Sequence, residues 1–204
     1  MENKPGQLLV YPEFDPNVHI IEPFDVPKEW QADISIDAGF INPTSCHFYA
    51  VDFDGNIYVV AEHFEAGQSI DHHVRKIFEI ADLLGWKRDD KGRLSALIDS
   101  AANQRTLAGQ KSVAELFCEK GILVNTNVNK DLRSGIQRIQ SLLEQRPPKI
   151  YIFRNCVNLI RELKGYYWGG NGVPKEVDDH ALDDLRYFVM SRPCSTIDQN
   201  KDDL

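Results

Sequence analysis

Two apolar stretches of this chain each end in an aspartate followed by small residues. Ile34-Ser35-Ile36-Asp37 leads into Ala38-Gly39, and Ala96-Leu97-Ile98-Asp99 leads into Ser100-Ala101-Ala102-Asn103. An aspartate in an otherwise apolar strand is costly to bury unless it is paired or holds a cation. Small residues after it leave room for a bulky ligand. A third acidic group lies in DDHALDDLRYFV, residues 178–189. There Asp179 and Asp183 are four residues apart and His180 and Asp183 three, so all three share or border one helical face. Asp184 sits about 100° further round and is expected to be solvated or paired with a basic side chain. Taken singly, each acid also has a bland reading. Asp99 could cap the segment after it, and Asp178 could be a cap or a first-turn charge that suits the helix dipole. Taken together, three Asp and one His from separate elements, with no cysteine, suit hard divalent ions such as Mg²⁺ or Mn²⁺. Such clusters bind two ions ~3.5–4 Å apart, a pair that activates water and stabilises the leaving oxygen in phosphodiester cleavage.

Residues so far apart need elements to bring them together. Residues 32–40 predict a strand, and residues 46–64 predict two strands around Asp54-Gly55, a strong hairpin signal. Ser69 to Leu84 predicts a helix capped by Ser69, with Gly85 after its end. Strands are expected over 94–101, 122–126 and 149–153. Helices are expected over 112–120, 131–145 and 155–163, the second ended by Pro147-Pro148. Residues 166–177, YYWGGNGVPKEV, form a turn-rich excursion before a last helix over 181–191, stopped by Pro193. An antiparallel three-strand start followed by βα units predicts a mixed sheet flanked by helices. Parallel strands in such a sheet end together on one edge, where sites are commonly built. Asp37 and Asp99 are delivered to that edge. Asp183, flanked by core positions Leu182 and Leu185, should point toward it.

The 204 residues suit one domain with a substantial core. Residues 1–30, rich in Pro, Asp and Glu, read as an extended arm or linker. Residues 31–193 form the folded unit, and 194–204 a flexible tail. The composition, 42% hydrophobic and 26% charged, is ordinary for a soluble globular protein. No apolar run approaches the roughly 20 residues of a membrane span, and the N-terminal sequence lacks the pattern of a signal peptide. Cys46, Cys118, Cys156 and Cys194 form no CxxC pair, which argues against zinc. Cys118 and Cys156 are expected as buried thiols in a reducing, cytoplasmic setting. The net charge of −8 argues at first against a polyanionic partner. Residues 101–175, however, hold 12 Lys plus Arg against 5 Asp plus Glu, and a basic middle can bind phosphates locally. Candidates are Lys130, Arg133, Arg138 and Arg154, with Arg161 and Lys164 behind them. Such contacts give affinity without sequence specificity, and ordinary surface charge is the competing reading for each.

The order IDAGF, a DGNIYVV hairpin, ALIDSAAN and a terminal DDHALDDLRYFV resembles the C-terminal nuclease domain of the large terminase subunit of tailed bacteriophages. The resemblance covers most of residues 30–193. Its most specific part is the terminal motif, close to Asp-His-x-x-Asp-x-Leu-Arg-Tyr; IDAG and LIDSA alone are weak. NVNKDLRSGIQRIQ and KIYIFRNCVNLIRELKGYYW also look similar. The resemblance implies an α/β, ribonuclease H-like fold. It implies a metal-dependent endodeoxyribonuclease that cuts concatemeric viral DNA during packaging, with Mg²⁺ or Mn²⁺, two ions, as cofactor. By motif, Asp37 is the first-strand acid, Asp99 the second and Asp183 the helix acid. His180 would assist a metal or a phosphate, and Asp179 is a weaker ligand candidate. The implied partners are double-stranded DNA, the terminase ATPase domain, the portal and the small terminase subunit, in the host cell cytoplasm. The chain has no GxxxxGK[ST] phosphate loop and no length for a motor, so an isolated nuclease domain is expected. Asp184 departs from the family pattern, which usually has a small residue there. Other readings are a non-catalytic DNA-binding or assembly module of the packaging machine, a junction-resolvase-like nuclease, and a phosphotransferase of the actin and sugar-kinase type, for which the chain is short.

Overall fold

A computed structural model describes residues 8–104, 111–175 and 177–192. Its elements in chain order are α1 (Pro16–His19), β1 (Ile20–Ile21), β2 (Gln31–Asp37), β3 (Thr44–Val51), β4 (Ile57–Glu65), α2 (Ile70–Leu83) and β5 (Leu94–Ile98). A 3-10 turn (Ser100–Asn103) follows, then α3 (Val113–Glu119), β6 (Ile122–Asn125), α4 (Leu132–Glu144), β7 (Ile150–Phe153), α5 (Val157–Gly165) and α6 (His180–Ser191). Among the described residues these strands form one seven-stranded sheet in the order β1-β7-β4-β3-β2-β5-β6. β3 pairs antiparallel with β2 and β4, and every other pairing is parallel. The expected mixed sheet with an antiparallel start is therefore present.

The local signals act as their chemistry predicts. Gly55, φ +77°, closes the β3–β4 turn, and Gly85 and Gly121 leave α2 and α3 with positive φ. Ser69, Ser112 and Asp131 cap α2, α3 and α4 through side-chain bonds to backbone N–H groups. β3 is buried at all its positions because both faces of the sheet are covered at the centre. On one face Phe188 of α6 stacks on Tyr49 at 3.8 Å between ring centroids. On the other, His73 of α2 hydrogen bonds His63 of β4 at 2.8 Å.

Two expectations need correction. The stretch read as an extended arm is folded in from residue 8 onward. Val10 and Tyr11 are buried, the Val10 N–H donates to the Tyr166 carbonyl, and β1 adds to the sheet edge beside β7. His19 is buried too, with Nε2 on the Leu143 carbonyl at 2.9 Å. The apolar run Leu8-Leu9-Val10-Tyr11, hidden among prolines and acids, supplies the reason. Cys118 is exposed rather than buried, because α3 turns Ala114 and Phe117 inward and Cys118 lies one step round from Phe117. Cys156 is buried as expected. Residues 1–7 of the arm, Pro193, Cys194 and the tail lie outside the described residues.

Candidate active site

β2 and β5 run parallel with Ile36 opposite Ile98. The next residues, Asp37 and Asp99, therefore leave the sheet side by side on one edge. α6 crosses the adjoining face and starts at that edge. His180, its first residue, places Nδ1 2.9 Å from Asp37 Oδ2. That hydrogen bond raises the His180 pKa, with burial opposing. Asp183, one turn on, accepts from Arg186 Nη1 at 2.6 Å. Burial, with the charges of Asp37 and Asp179, pushes Asp183 up to about 7 against the pull of Arg186. Asp99 accepts the Ala101 N–H at 2.8 Å and the Tyr187 hydroxyl at 3.2 Å, and pairs with Lys130 at 2.7 Å. Burial works against its ionisation, but Lys130 and the Ala101 N–H outweigh it and hold Asp99 below the ordinary carboxylate value. Asp99 is thus the cap of the 3-10 turn and a member of the acidic group at once.

Tyr187 ties the set together. Its hydroxyl touches Asp99, and its pKa is raised by burial and then by the charges of Asp183, Asp37 and Asp99. Beside His180 and Asp183 opens a cleft of about 610 Å³, also lined by Tyr166, Asp179 and Arg186. Among the described residues, no three His, Cys, Asp or Glu side chains converge closely enough to enclose an ion. Each acid instead leans on a basic side chain: Asp37 on His180, Asp99 on Lys130, Asp183 on Arg186. The donor set, carboxylate oxygens with one imidazole, fits a hard divalent cation. Binding one requires the acids to draw closer together; among the described residues, His180 and Arg186 each occupy one carboxylate oxygen of Asp37 and Asp183 and leave the other free.

This architecture matches solved structures. No family model matches the chain, and no curated protein matches it in sequence. The P22 large terminase nuclease domain superposes with a TM-score of 0.72 at 15% identity, over 89% of this chain and 91% of that one. The chain has the fold of a large terminase nuclease domain. The large terminase of a thermophilic bacteriophage, solved in complex with ADP, matches at a TM-score of 0.72 and 23% identity, covering 91% of this chain and 45% of that one. The chain thus spans a little under half of that protein. The large terminase nuclease of another thermophilic phage, G20c, with bound cobalt, matches at a TM-score of 0.59 and 14% identity over 92% of this chain and 99% of that one. The terminase nuclease fold is ribonuclease H-like, and the mixed sheet flanked by helices is its frame here.

Within that fold the remaining sequence candidates separate. Asp179 stands just before α6, but its side chain makes no cap bond; burial raises its pKa, and it lies near Tyr166 and the cleft. Asp184 is not solvated but, as the other expectation had it, paired with a basic side chain, His47. It is fully buried and takes hydrogen bonds from Tyr49, Ser45 and His47 at 2.6, 2.5 and 2.7 Å. Of the basic candidates, Lys130 reaches Asp99 and Arg133 follows in the first turn of α4. Arg138 lies toward the opposite edge, in a cleft with Lys149 and the β3–β4 turn. Arg154 follows β7, three strands from β2, and pairs with Glu22 at 2.6 Å. Arg161 pairs with Glu162, and Lys164 is exposed at the end of α5.

Sequence reasoning missed Glu162, whose carboxylate accepts the Ala181 and Leu182 N–H groups at 2.8 and 3.1 Å and so caps α6. The signal was present: Glu162 sits between Leu159 and Leu163 on the buried face of α5. It also missed Arg186 as the partner of Asp183.

Proposed function

We propose that this chain is the nuclease part of a phage large terminase, an Mg²⁺- or Mn²⁺-dependent endodeoxyribonuclease that cuts concatemeric viral DNA during packaging. The observation that carries this is the parallel register that sets Asp37 beside Asp99, with His180 and Asp183 of α6 brought to the same edge. The bound cobalt of the G20c relative supports a divalent-ion requirement.

Asp37, Asp99 and Asp183 would hold two ions, with Asp179 in reserve. When bound, such ions supply activation of a water and neutralisation of charge on the leaving oxygen. The chain's own residues do the rest. His180 orients the Asp37 carboxylate through Nδ1. Tyr187 fixes one oxygen of Asp99. Lys130, once displaced from Asp99, would be free to meet a DNA phosphate, and Arg133 in the first turn of α4 would be a second contact. Arg186 keeps Asp183 aimed into the cleft. Such phosphate contacts bind double-stranded DNA without reading its sequence. The expected partners are the ATPase domain of the large terminase, the portal and the small subunit, in the host cell cytoplasm. Among the described residues no helix is long and apolar enough to cross a membrane.

A second reading is a non-catalytic DNA-binding module. The pairing of each acid with a basic side chain favours it, because the acidic group then needs no metal. One experiment separates the two: nicking of supercoiled plasmid in Mn²⁺ by the parent chain, Asp37→Asn and Asp183→Asn. The nuclease reading expects nicking by the parent and none by either variant, with both variants folded by circular dichroism. Parental rates in either variant overturn the site assignment.

A further inference from the structure

Two of the most deeply buried acids lie outside the proposed ion ligands. Asp184 is 0% exposed and Glu162 is 1% exposed. A buried carboxylate is costly unless donors surround it, and here the donors trace a closed path. Asp184 of α6 takes hydrogen bonds from Ser45, His47 and Tyr49 of β3. The other nitrogen of His47, Nε2, meets Glu62 of β4 at 3.1 Å. Burial disfavours charge on His47, but the two carboxylates outweigh it and push its pKa up to about 10. An imidazolium can donate at both nitrogens, as this bridge requires.

Glu62 in turn accepts the Asn158 and Leu159 N–H groups at 2.8 and 3.2 Å, at the start of α5. Glu162, further along α5, accepts the first N–H groups of α6. α6 then carries Asp184 back to β3. The path runs from strand to strand to helix to helix and closes on itself.

Its two grips on α6 bracket the chemistry. One holds the amides of Ala181 and Leu182, just after His180; the other holds Asp184, next to Asp183. The Ser35 hydroxyl adds a bond to the Asp184 carbonyl at 2.8 Å. A helix held at its end and at a side chain about 100° round from Asp183 can neither slide nor roll without breaking one grip.

We propose that the buried circuit of Glu62, His47, Asp184 and Glu162 is a positioning device that sets the roll and height of α6, and so where Asp183 and His180 stand relative to Asp37. The proposal rests on reading those acids as an ion site, and its test keeps the two claims apart. Tyr49→Phe removes one hydroxyl, and Glu162→Gln keeps the volume but not the charge. Circular dichroism first fixes a temperature at which both variants are folded. Mn²⁺ affinity is then measured by electron paramagnetic resonance of the free ion, beside amide hydrogen exchange over α6.

The circuit predicts Mn²⁺ affinity lower by about 10-fold in each variant, the low end of what partners bonded directly to metal ligands supply, because Tyr49 and Glu162 act one step further out. It predicts faster exchange at residues 181–186 in both, and unchanged DNA affinity without divalent ions. A docking role alone would lower the melting point and leave the Mn²⁺ affinity alone. Affinities within twofold of the parent overturn the proposal. If the parent itself binds no Mn²⁺, the ion-site reading falls. Exchange then judges the circuit: unchanged protection of α6 in both variants overturns it.

Discussion

Gly135 lies in α4 where that helix meets α6. A Cβ added there would stand 2.8 Å from Cδ of Arg186 and 3.2 Å from its Cγ. Alanine in a helix interior is worth about 1 kcal/mol over glycine, so Gly135→Ala would stabilise an unobstructed helix. Here the obstruction is a buried arginine, 6% exposed. Its stem must move, and its 2.6 Å bond to Asp183 goes with it. A hydrogen bond to a charged group contributes about 1.5–3 kcal/mol. Against the helix gain, the net loss is roughly 0.5–2 kcal/mol. At about 2–4 °C per kcal/mol for a domain of this size, the melting point should fall by roughly 1–8 °C. Thermal unfolding in a chelator measures it, with a double-mutant cycle on Arg186→Ala to isolate the contact. Once Arg186 is shortened, Gly135→Ala should raise the melting point. A higher melting point with Arg186 intact, or an equal fall in both backgrounds, refutes the idea that Gly135 is there to seat Arg186.

Three further outcomes follow from the site. Burial and two neighbouring carboxylates push Asp183 up to about 7. An acid raised on folding stabilises the fold fully below its unfolded value and loses that contribution as pH rises through the folded value. Without divalent ions, Asp183→Asn should therefore melt above the parent at pH 8 and lose the advantage near pH 4; melting curves in chelator across that range check it. Lys130→Ala should reduce the salt dependence of binding to double-stranded DNA by a slope of roughly 1 if Lys130 passes from Asp99 to a phosphate. Fluorescence anisotropy against KCl measures that slope, and an unchanged slope confines Lys130 to Asp99. At Gly39, just past Asp37, a Cβ would meet the carbonyl oxygens of Asn42 and Pro43 at 2.5 and 2.7 Å. Backbone cannot swing aside as a side chain can, so Gly39→Ala should cost about 1–3 kcal/mol in urea unfolding.

The acids at the strand ends were legible because an alternating or apolar run that stops on Asp announces both the strand and its exit. β2 ends on Asp37 and β5 just before Asp99. The β3–β4 hairpin was legible from Asp54-Gly55, and α2 from Ser69 and Gly85. Periodicity also turned Asp183 and His180 toward the sheet edge. It could not show what a buried polar group meets. Asp184 was correctly turned away from Asp183, but its partners Ser45, His47 and Tyr49 lie 139, 137 and 135 residues away in sequence. Only the fold brings them to it. Glu162 caps a helix that begins 18 residues later, beyond the reach of any local capping pattern. The folded part of the arm was missed because its apolar run is short and pairs with residues near 166. Composition over 30 residues averaged that signal away.

The proposed ion site needs Asp37, Asp99 and Asp183 to ligate divalent cations together. Anomalous difference density from a crystal soaked in Mn²⁺ reports that ligation without passing through activity. Density bonded to Asp37 and Asp99 is expected, with Asp183 turned to it and Lys130 moved off Asp99. The ion site is contradicted if, at a Mn²⁺ concentration that supports plasmid nicking, no density appears there and the three acids keep their pairs with His180, Lys130 and Arg186.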